Sequence, residues 1–371
     1  MGSSTCYHLA KQGLQVLGLE QFSIPNELSS HNGQTRIIRK AYFEDPGYVP
    51  LLEYSYENWK ELERISGEQL YYETGLLYFG KPDHWLMQGV HKSAEKYKIP
   101  LEELSNEQVN ERYPAFNIPG HFEKLLEPKA GFLLPGKAIE LYAAQALKHG
   151  AVIKSNERVL WWNKTSNGVE VKTSAATYQA GKLVITAGPW TSDLVTGFSP
   201  LLKVTRQVIA WVNPAEPPNF LLGKLPCWMI APVDQPGLYY GFPLLPPNGF
   251  EEPLAFKLAH HYAGAITSAE KIGREIHTDD LQGITGLLQK YFKNGYRSVA
   301  QTKTCMYTNT PDENFILDFL PGNEERVVIA TGFSGHGFKF APAIGAIMSE
   351  LAIYGKTNLP IDFLGLKRFV K

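Results

Sequence analysis

Two arginines stand three residues apart in Thr35-Arg36-Ile37-Ile38-Arg39, with a pair of isoleucines between them. Arginine presents a planar fork of donors that fits a carboxylate or phosphate in bidentate fashion, most effectively where water is excluded. A solvated basic loop could carry the same residues, but Ile37 and Ile38 imply a segment that packs inward. Lys339, just past the glycine run Gly332-Phe333-Ser334-Gly335-His336-Gly337, could complete a clamp on a carboxylate. Lys257 lies in Phe256-Lys257-Leu258-Ala259-His260-His261, where strand alternation sends Lys257, Ala259 and His261 to one face and their neighbours to the other. A lysine aimed from a mid-sheet strand toward a cavity is a positive charge of adjustable pKa, although most strand lysines are simply exposed. The adjacent histidines point apart and no carboxylate or cysteine stands at ligand spacing, so no metal site is expected. Cys305 is flanked by Lys303 and by polar residues, a setting that favours the thiolate, whereas a lone cysteine is usually a small buried hydrophobe. Ser334 and His336 lack the G-x-S-x-G elbow of a hydrolase triad.

The elements that must position these groups begin at the first residue. Gly2 opens a helical run over residues 3–11, Gly13 stops it, and a short apolar strand over 15–19 leads to Glu20. In a dinucleotide-binding βαβ unit the last glycine of G-x-G-x-x-G opens the helix, and an acid roughly 20 residues further on binds a ribose hydroxyl. Gly2 and Glu20 fit those two roles, while the first strand and the first two glycines are absent ahead of them. Residues 23–33 are turn formers, and the arginine segment reads as a continuation of that loop. Helical spacing follows over 48–65, a strand over 70–79, a helix over 85–97, a strand over 131–134 and a helix over 138–149. Ser166-Asn167-Gly168 separates two β runs, 159–162 and 169–172, as a hairpin turn would. A buried strand is expected over 183–186, β runs over 204–212, 238–242 and 256–259, and a helix over 279–291. The last third gives a strand over 327–331, the glycine loop, and a helix over 340–354. A glycine loop between strand and helix aims backbone N–H groups at a ligand, or merely lets the two pack closely.

With 371 residues, 44% of them hydrophobic, the chain can bury a large core in two domains. The expected fold is α/β with an α+β second domain. A Rossmann-like dinucleotide domain is assembled from residues 1–75, 135–200 and 300–371, and an antiparallel-sheet substrate domain from 76–134 and 201–299. A net charge of −1 without a basic cluster argues against nucleic acid. Three scattered cysteines are too few for a disulfide framework, which points to a reducing compartment. No apolar run is long enough to span a membrane, and the C-terminus is not a peroxisomal tripeptide of the S-K-L kind.

Four segments together resemble the monomeric sarcosine oxidase family, which includes N-methyltryptophan and pipecolate oxidases. They are Ser30-His31-Asn32-Gly33-Gln34-Thr35-Arg36-Ile37-Ile38-Arg39-Lys40-Ala41-Tyr42, Val184-Ile185-Thr186-Ala187-Gly188-Pro189-Trp190, Cys305-Met306-Tyr307-Thr308-Asn309-Thr310-Pro311-Asp312-Glu313 and Gly332-Phe333-Ser334-Gly335-His336-Gly337-Phe338-Lys339. The resemblance implies a cytoplasmic, monomeric flavoenzyme that oxidises the C–N bond of a secondary amino acid and passes electrons through FAD to O2, yielding hydrogen peroxide. It implies that Cys305 bonds covalently to the flavin, that Arg39 and Lys339 hold the substrate carboxylate, and that Lys257 activates oxygen. Arg36, Tyr240 and His261 match other active-site positions, and Gly2, Glu20, Thr35, Val159, Gly188, Gly335, His336 and Gly337 match the cofactor site, with Lys339 beside it. Two departures stand out: Asn32 replaces the family histidine before Gly33, with His31 one place earlier, and the first strand of the FAD motif is missing. Either the protein begins upstream of Met1 or this chain holds FAD poorly. The alternatives are an impaired relative that binds a small amino acid, or an NAD-dependent dehydrogenase, which fits Glu20 but leaves Cys305 unexplained.

Overall fold

The computed structural model describes residues 1–262, 264–323 and 325–369; the C-terminal pair Val370-Lys371, read above against a peroxisomal signal, lies outside them. The first helix, Gly2–Lys11, buries Ser4, Thr5, Tyr7 and Ala10 between the helices Pro135–Lys148 and Ala341–Tyr354. That contact needs a glycine, because a Cβ on Gly345 would lie 2.1 Å from Ser4 Oγ. Ala341–Tyr354 is apolar almost all round, as a helix enclosed by other elements must be.

Two small sheets flank the first helix. Leu17–Leu19 pairs in parallel with Val152–Lys154. Leu183–Ile185 pairs in parallel with Val327–Thr331, whose other edge takes Ile316–Phe319 antiparallel. Of the strand expected to be buried over 183–186, only Ile185 is fully so; Leu183 and Val184 stay half-buried.

The rest is organised on a nine-stranded sheet. Its centre runs Lys203–Asn213, Phe256–His261, Leu238–Gly241, Cys227–Ile230, Leu76–Gly80 and Glu123–Glu127, with Ser298–Asn309 on the far side of Lys203–Asn213. Pairing is antiparallel except between Leu76–Gly80 and Cys227–Ile230. One face carries Phe79, Trp228, Phe256 and Leu258 into a core capped by the helix Thr278–Tyr291. The opposite face presents Tyr240, Ala259, His261 and Cys305 to the cavity.

Three local expectations change. The strand expected over 70–79 is two strands in different sheets, Tyr71–Tyr72 and Leu76–Gly80, because Gly75 between them adopts φ +76° and turns the chain. The arginine segment is not loop throughout: Arg36–Ile38 is a strand against Gly131–Leu133, driven by burial of Ile37 and Ile38. The hairpin at residues 159–172 gains a third strand, Thr177–Ala180. No helix among the described residues is long and apolar enough to cross a membrane.

Candidate active site

A cavity of about 1490 Å³ runs between the small parallel sheets and the large one. A single small ligand usually occupies roughly 300–1,000 Å³, so this space suits a dinucleotide together with a substrate. At one end the wall is built by the first helix's N-terminus, by Glu20 and by the turn at Gly188. Gly2 lies so close to the neighbouring strand that a Cβ there would come within 3.0 Å of Thr186 Oγ1. Gly188 takes φ +53°, and beyond it nothing stands within 4 Å of where a Cβ would project. Backbone donors at a helix N-terminus suit the pyrophosphate of a dinucleotide, and the Glu20 carboxylate, fixed by a bond from Phe22 N at 2.9 Å, suits a ribose hydroxyl. Val159 also lines this end.

At the other end the charged side chains converge. Arg39 is 1% exposed. Its Nη2 donates to both oxygens of Glu44 at 2.8 and 2.7 Å, and its Nη1 to Ala41 O at 3.2 Å. The guanidinium carbon sits 4.2 Å from the Tyr42 ring centre and 3.9 Å from that of Phe43, between two rings inclined by only 11°. Its Nε is buried with no partner among the described residues. Burial opposes the charge on Glu44, but Arg39, with His336 and Lys339, outweighs it and brings that carboxyl's pKa down to about 2. Lys339 Nζ donates to His336 O at 2.8 Å, and burial, together with Arg39, lowers its pKa to about 7.

The histidines here are neutral, because burial lowers His261 to about 4 and His336 to about 3. His336 Nε2 faces Glu313 O at 3.0 Å and so carries the proton; Nδ1 accepts from Tyr42 OH at 2.5 Å. His261 Nδ1 lies 3.3 Å from Tyr307 OH, and Tyr240 stands beside Tyr307. The glycine loop shapes this wall: Gly335 has φ +79°, and a Cβ on it would lie 2.3 Å from the Tyr307 ring.

Cys305 faces the cavity from Ser298–Asn309, its Sγ 3.4 Å from Ser30 O. The same carbonyl accepts from Arg36 Nη2 at 3.2 Å, and the Arg36 guanidinium also binds the carbonyls of Asn32 and Thr35. The basic groups near the thiol are Arg36, which shares that carbonyl with it, and Lys257, which interacts with it electrostatically. Lys303, expected to play that part, is ion-paired with Glu27.

The family is decided by comparison with known proteins. The profile of the FAD dependent oxidoreductase family matches residues 1–351. The chain belongs to that family. It is 35% identical to monomeric sarcosine oxidase of Streptomyces avermitilis, over 99% of this chain and 95% of that protein. It is 32% identical to N-methyl-L-tryptophan oxidase of Yersinia pestis, over 100% and 96%. Among solved structures, NikD, an amino acid oxidase of nikkomycin biosynthesis, superposes with a TM-score of 0.85 at 24% identity, covering 98% of this chain and 94% of its own. The protein is thus a flavin-dependent oxidoreductase of the sarcosine oxidase type, and the cavity described above fits its FAD.

Most residues singled out in the sequence meet around this cavity: Gly2, Glu20, Arg36, Arg39, Val159, Gly188, Tyr240, His261, Cys305, Gly335, His336, Gly337 and Lys339 all line it. Lys257 and Thr35 stand just behind the wall. Lys257 is 1% exposed, donates to Thr35 O at 2.6 Å and Thr35 Oγ1 at 3.1 Å, and rests 4.5 Å from the Phe242 ring centre. No carboxylate among the described residues bonds to it, and burial, with Arg36 adding to it, lowers its pKa well below that of a free lysine. Asn32 points away from the cavity: its Nδ2 ties Glu27 O to Thr304 O, and its Oδ1 has no partner among the described residues. It is His31 that reaches the cavity. Among the lining residues to which the sequence reading gave no role are Glu44, Phe43 and Tyr307. Tyr307 was within reach, since alternation along its strand places it on the same face as Cys305. No group of three His, Cys, Asp or Glu among the described residues could hold a metal ion.

Proposed function

We propose that the enzyme oxidises the C–N bond of a secondary α-amino acid, N-methylated or cyclic, and passes the electrons to O2 to give hydrogen peroxide. The observation that carries this reading is the unpartnered buried Nε of Arg39 beside Lys339, in a cavity that also holds Cys305. A buried donor without an acceptor costs about 1–3 kcal/mol, a penalty that a substrate carboxylate relieves on binding. FAD, when bound, supplies the hydride acceptor and the route of electrons to O2. Arg39 and Lys339 hold the carboxylate. Because Glu44 is already neutralised by Arg39, this end of the cavity offers no free anion to an ammonium, so the amine binds without its proton. Neutral His261, Tyr240 and Tyr307 form a polar wall that orients the amine without adding charge. Lys257, held by Thr35, gives in its ammonium form a positive field that stabilises negative charge developing on oxygen in a dry site, and that developing charge in turn favours the protonated lysine whose pKa burial lowers. Cys305, its Sγ held at Ser30 O on the cavity wall, is the group that would carry a covalent tether to the flavin.

The test is a peroxide-release screen over sarcosine, pipecolate, N-methyltryptophan and proline, run on protein of measured FAD content. Turnover of at least one of them, and none of its carboxylate-free amine, is expected. FAD-replete protein that releases no peroxide with any of the four sinks the proposal.

A further inference from the structure

Glu127 ends the strand Glu123–Glu127 and is 1% exposed, yet no cation among the described residues bonds to its carboxylate. Its three hydrogen-bond partners are neutral donors: Lys40 N at 2.6 Å, Ala41 N at 3.2 Å and Tyr78 OH at 2.7 Å. A buried carboxylate held only by neutral donors is a costly choice for a core, and burial raises its pKa despite those bonds. Its place in the chain gives the reason. The two N–H groups it binds belong to the residues immediately after Arg39, and the carbonyl of the second, Ala41 O, accepts from Arg39 Nη1 at 3.2 Å. Glu127 thus grips the amides of residues 40 and 41 while Arg39 grips the carbonyl of 41. The backbone between them is pinned from both sides.

We propose that Glu127 is a positioning residue for carboxylate binding: it fixes the turn after Arg39 and with it the place of the guanidinium in the cavity wall. This rests on the reading of Arg39 as the carboxylate clamp. Tyr78, from the adjacent strand, holds the Glu127 carboxylate in turn and its hydroxyl lies 3.5 Å from Ala41 O. The large sheet therefore sets the register of the arginine through two side chains on neighbouring strands, although Arg39 itself follows a strand of a different sheet.

Flavin absorbance titrations with a simple carboxylate that lacks an amine test this on FAD-loaded wild type, Glu127→Gln and Tyr78→Phe, alongside Arg39→Met as a reference. Glutamine cannot accept from all three donors, so its Kd should rise by about tenfold, as expected for loss of one hydrogen bond to a charged group. Tyr78→Phe, which keeps the carboxylate but removes one donor, should shift Kd in the same direction by about threefold. In both variants the limiting rate of flavin reduction at saturating substrate should fall far less than affinity. Wild-type Kd values in both variants overturn the proposal, as does a fall in the limiting rate equal to the loss of affinity, which marks Glu127 as a purely structural group. If wild type and Arg39→Met bind the carboxylate equally, it is the clamp itself that fails.

Discussion

With Arg39 and Lys339 as the proposed carboxylate clamp, Lys339 makes substrate binding a proton-linked event. Burial and the nearby Arg39 lower its pKa to about 7, with Glu44 only partly compensating, so near neutral pH only about half of the enzyme carries the ammonium. A carboxylate entering between Arg39 and Lys339 favours the charged form, so binding takes up a proton wherever the free enzyme has lost it. Above pH ~7 the ammonium fraction falls tenfold per unit, reaching about 1% two units higher. Kd should therefore rise by about 50-fold between about pH 7 and about pH 9, or roughly 2.3 kcal/mol at about 1.36 kcal/mol per tenfold. Below the lysine's pKa the curve flattens, because the site is already charged. At the alkaline end it levels where Arg39 binds alone. The assay is the absorbance change of the bound flavin on titration with a carboxylate that has no amine, so that the ligand does not titrate in this range. Lys339→Met should bind weakly and without pH dependence. A wild-type Kd that stays constant from about pH 6 to 9, or an equal slope in Lys339→Met, refutes the reasoning.

Lys257→Met should slow reoxidation of the reduced flavin by O2 by about 10²–10³, the usual cost of removing one electrostatic stabiliser, and slow reduction by substrate much less. Stopped-flow measurement of the two half-reactions decides it, and equal losses in both would remove Lys257 from the oxygen step. Wild-type protein precipitated by acid should stay yellow, whereas Cys305→Ser should leave its flavin in the supernatant; a colourless wild-type pellet rules out the tether. Gly335→Ala places a methyl 2.3 Å from the Tyr307 ring at a left-handed backbone position and should cost about 1–3 kcal/mol. An unchanged melting temperature would show that this wall yields freely.

Where the sequence carried a local periodicity, the site was legible. The alternation of Phe256–His261 set Lys257, Ala259 and His261 on the site's face, and the strand, glycine loop and helix from Val327 to Tyr354 stand where their pattern put them. Partnerships were not legible. Arg39 and Glu44 are five residues apart, which matches neither helix nor strand spacing, and only the turn through Tyr42 and Phe43 brings them together. Glu127 meets Lys40 across 87 positions of chain, and such long-range pairings leave no trace in a single sequence. The break at Gly75 went unread although Glu73 and Thr74 interrupt the apolar run just before it, because a polar pair is also common inside a strand and the left-handed backbone of Gly75 is not written in hydrophobicity. Lys303 looked like the partner of Cys305 from proximity alone, but a surface acid, Glu27, claims it.

The carbonyls of Ser30, Asn32 and Thr35 all turn onto the Arg36 guanidinium, and that cage has a consequence for how the holoenzyme is assembled. A loop folded around its own cation keeps its shape without a ligand as template. The wall against which the flavin docks, including the carbonyl that holds the Cys305 thiol, is therefore standing before the cofactor arrives. Maturation then depends on the cofactor's entry, and the ordering entropy of this loop has been spent during folding.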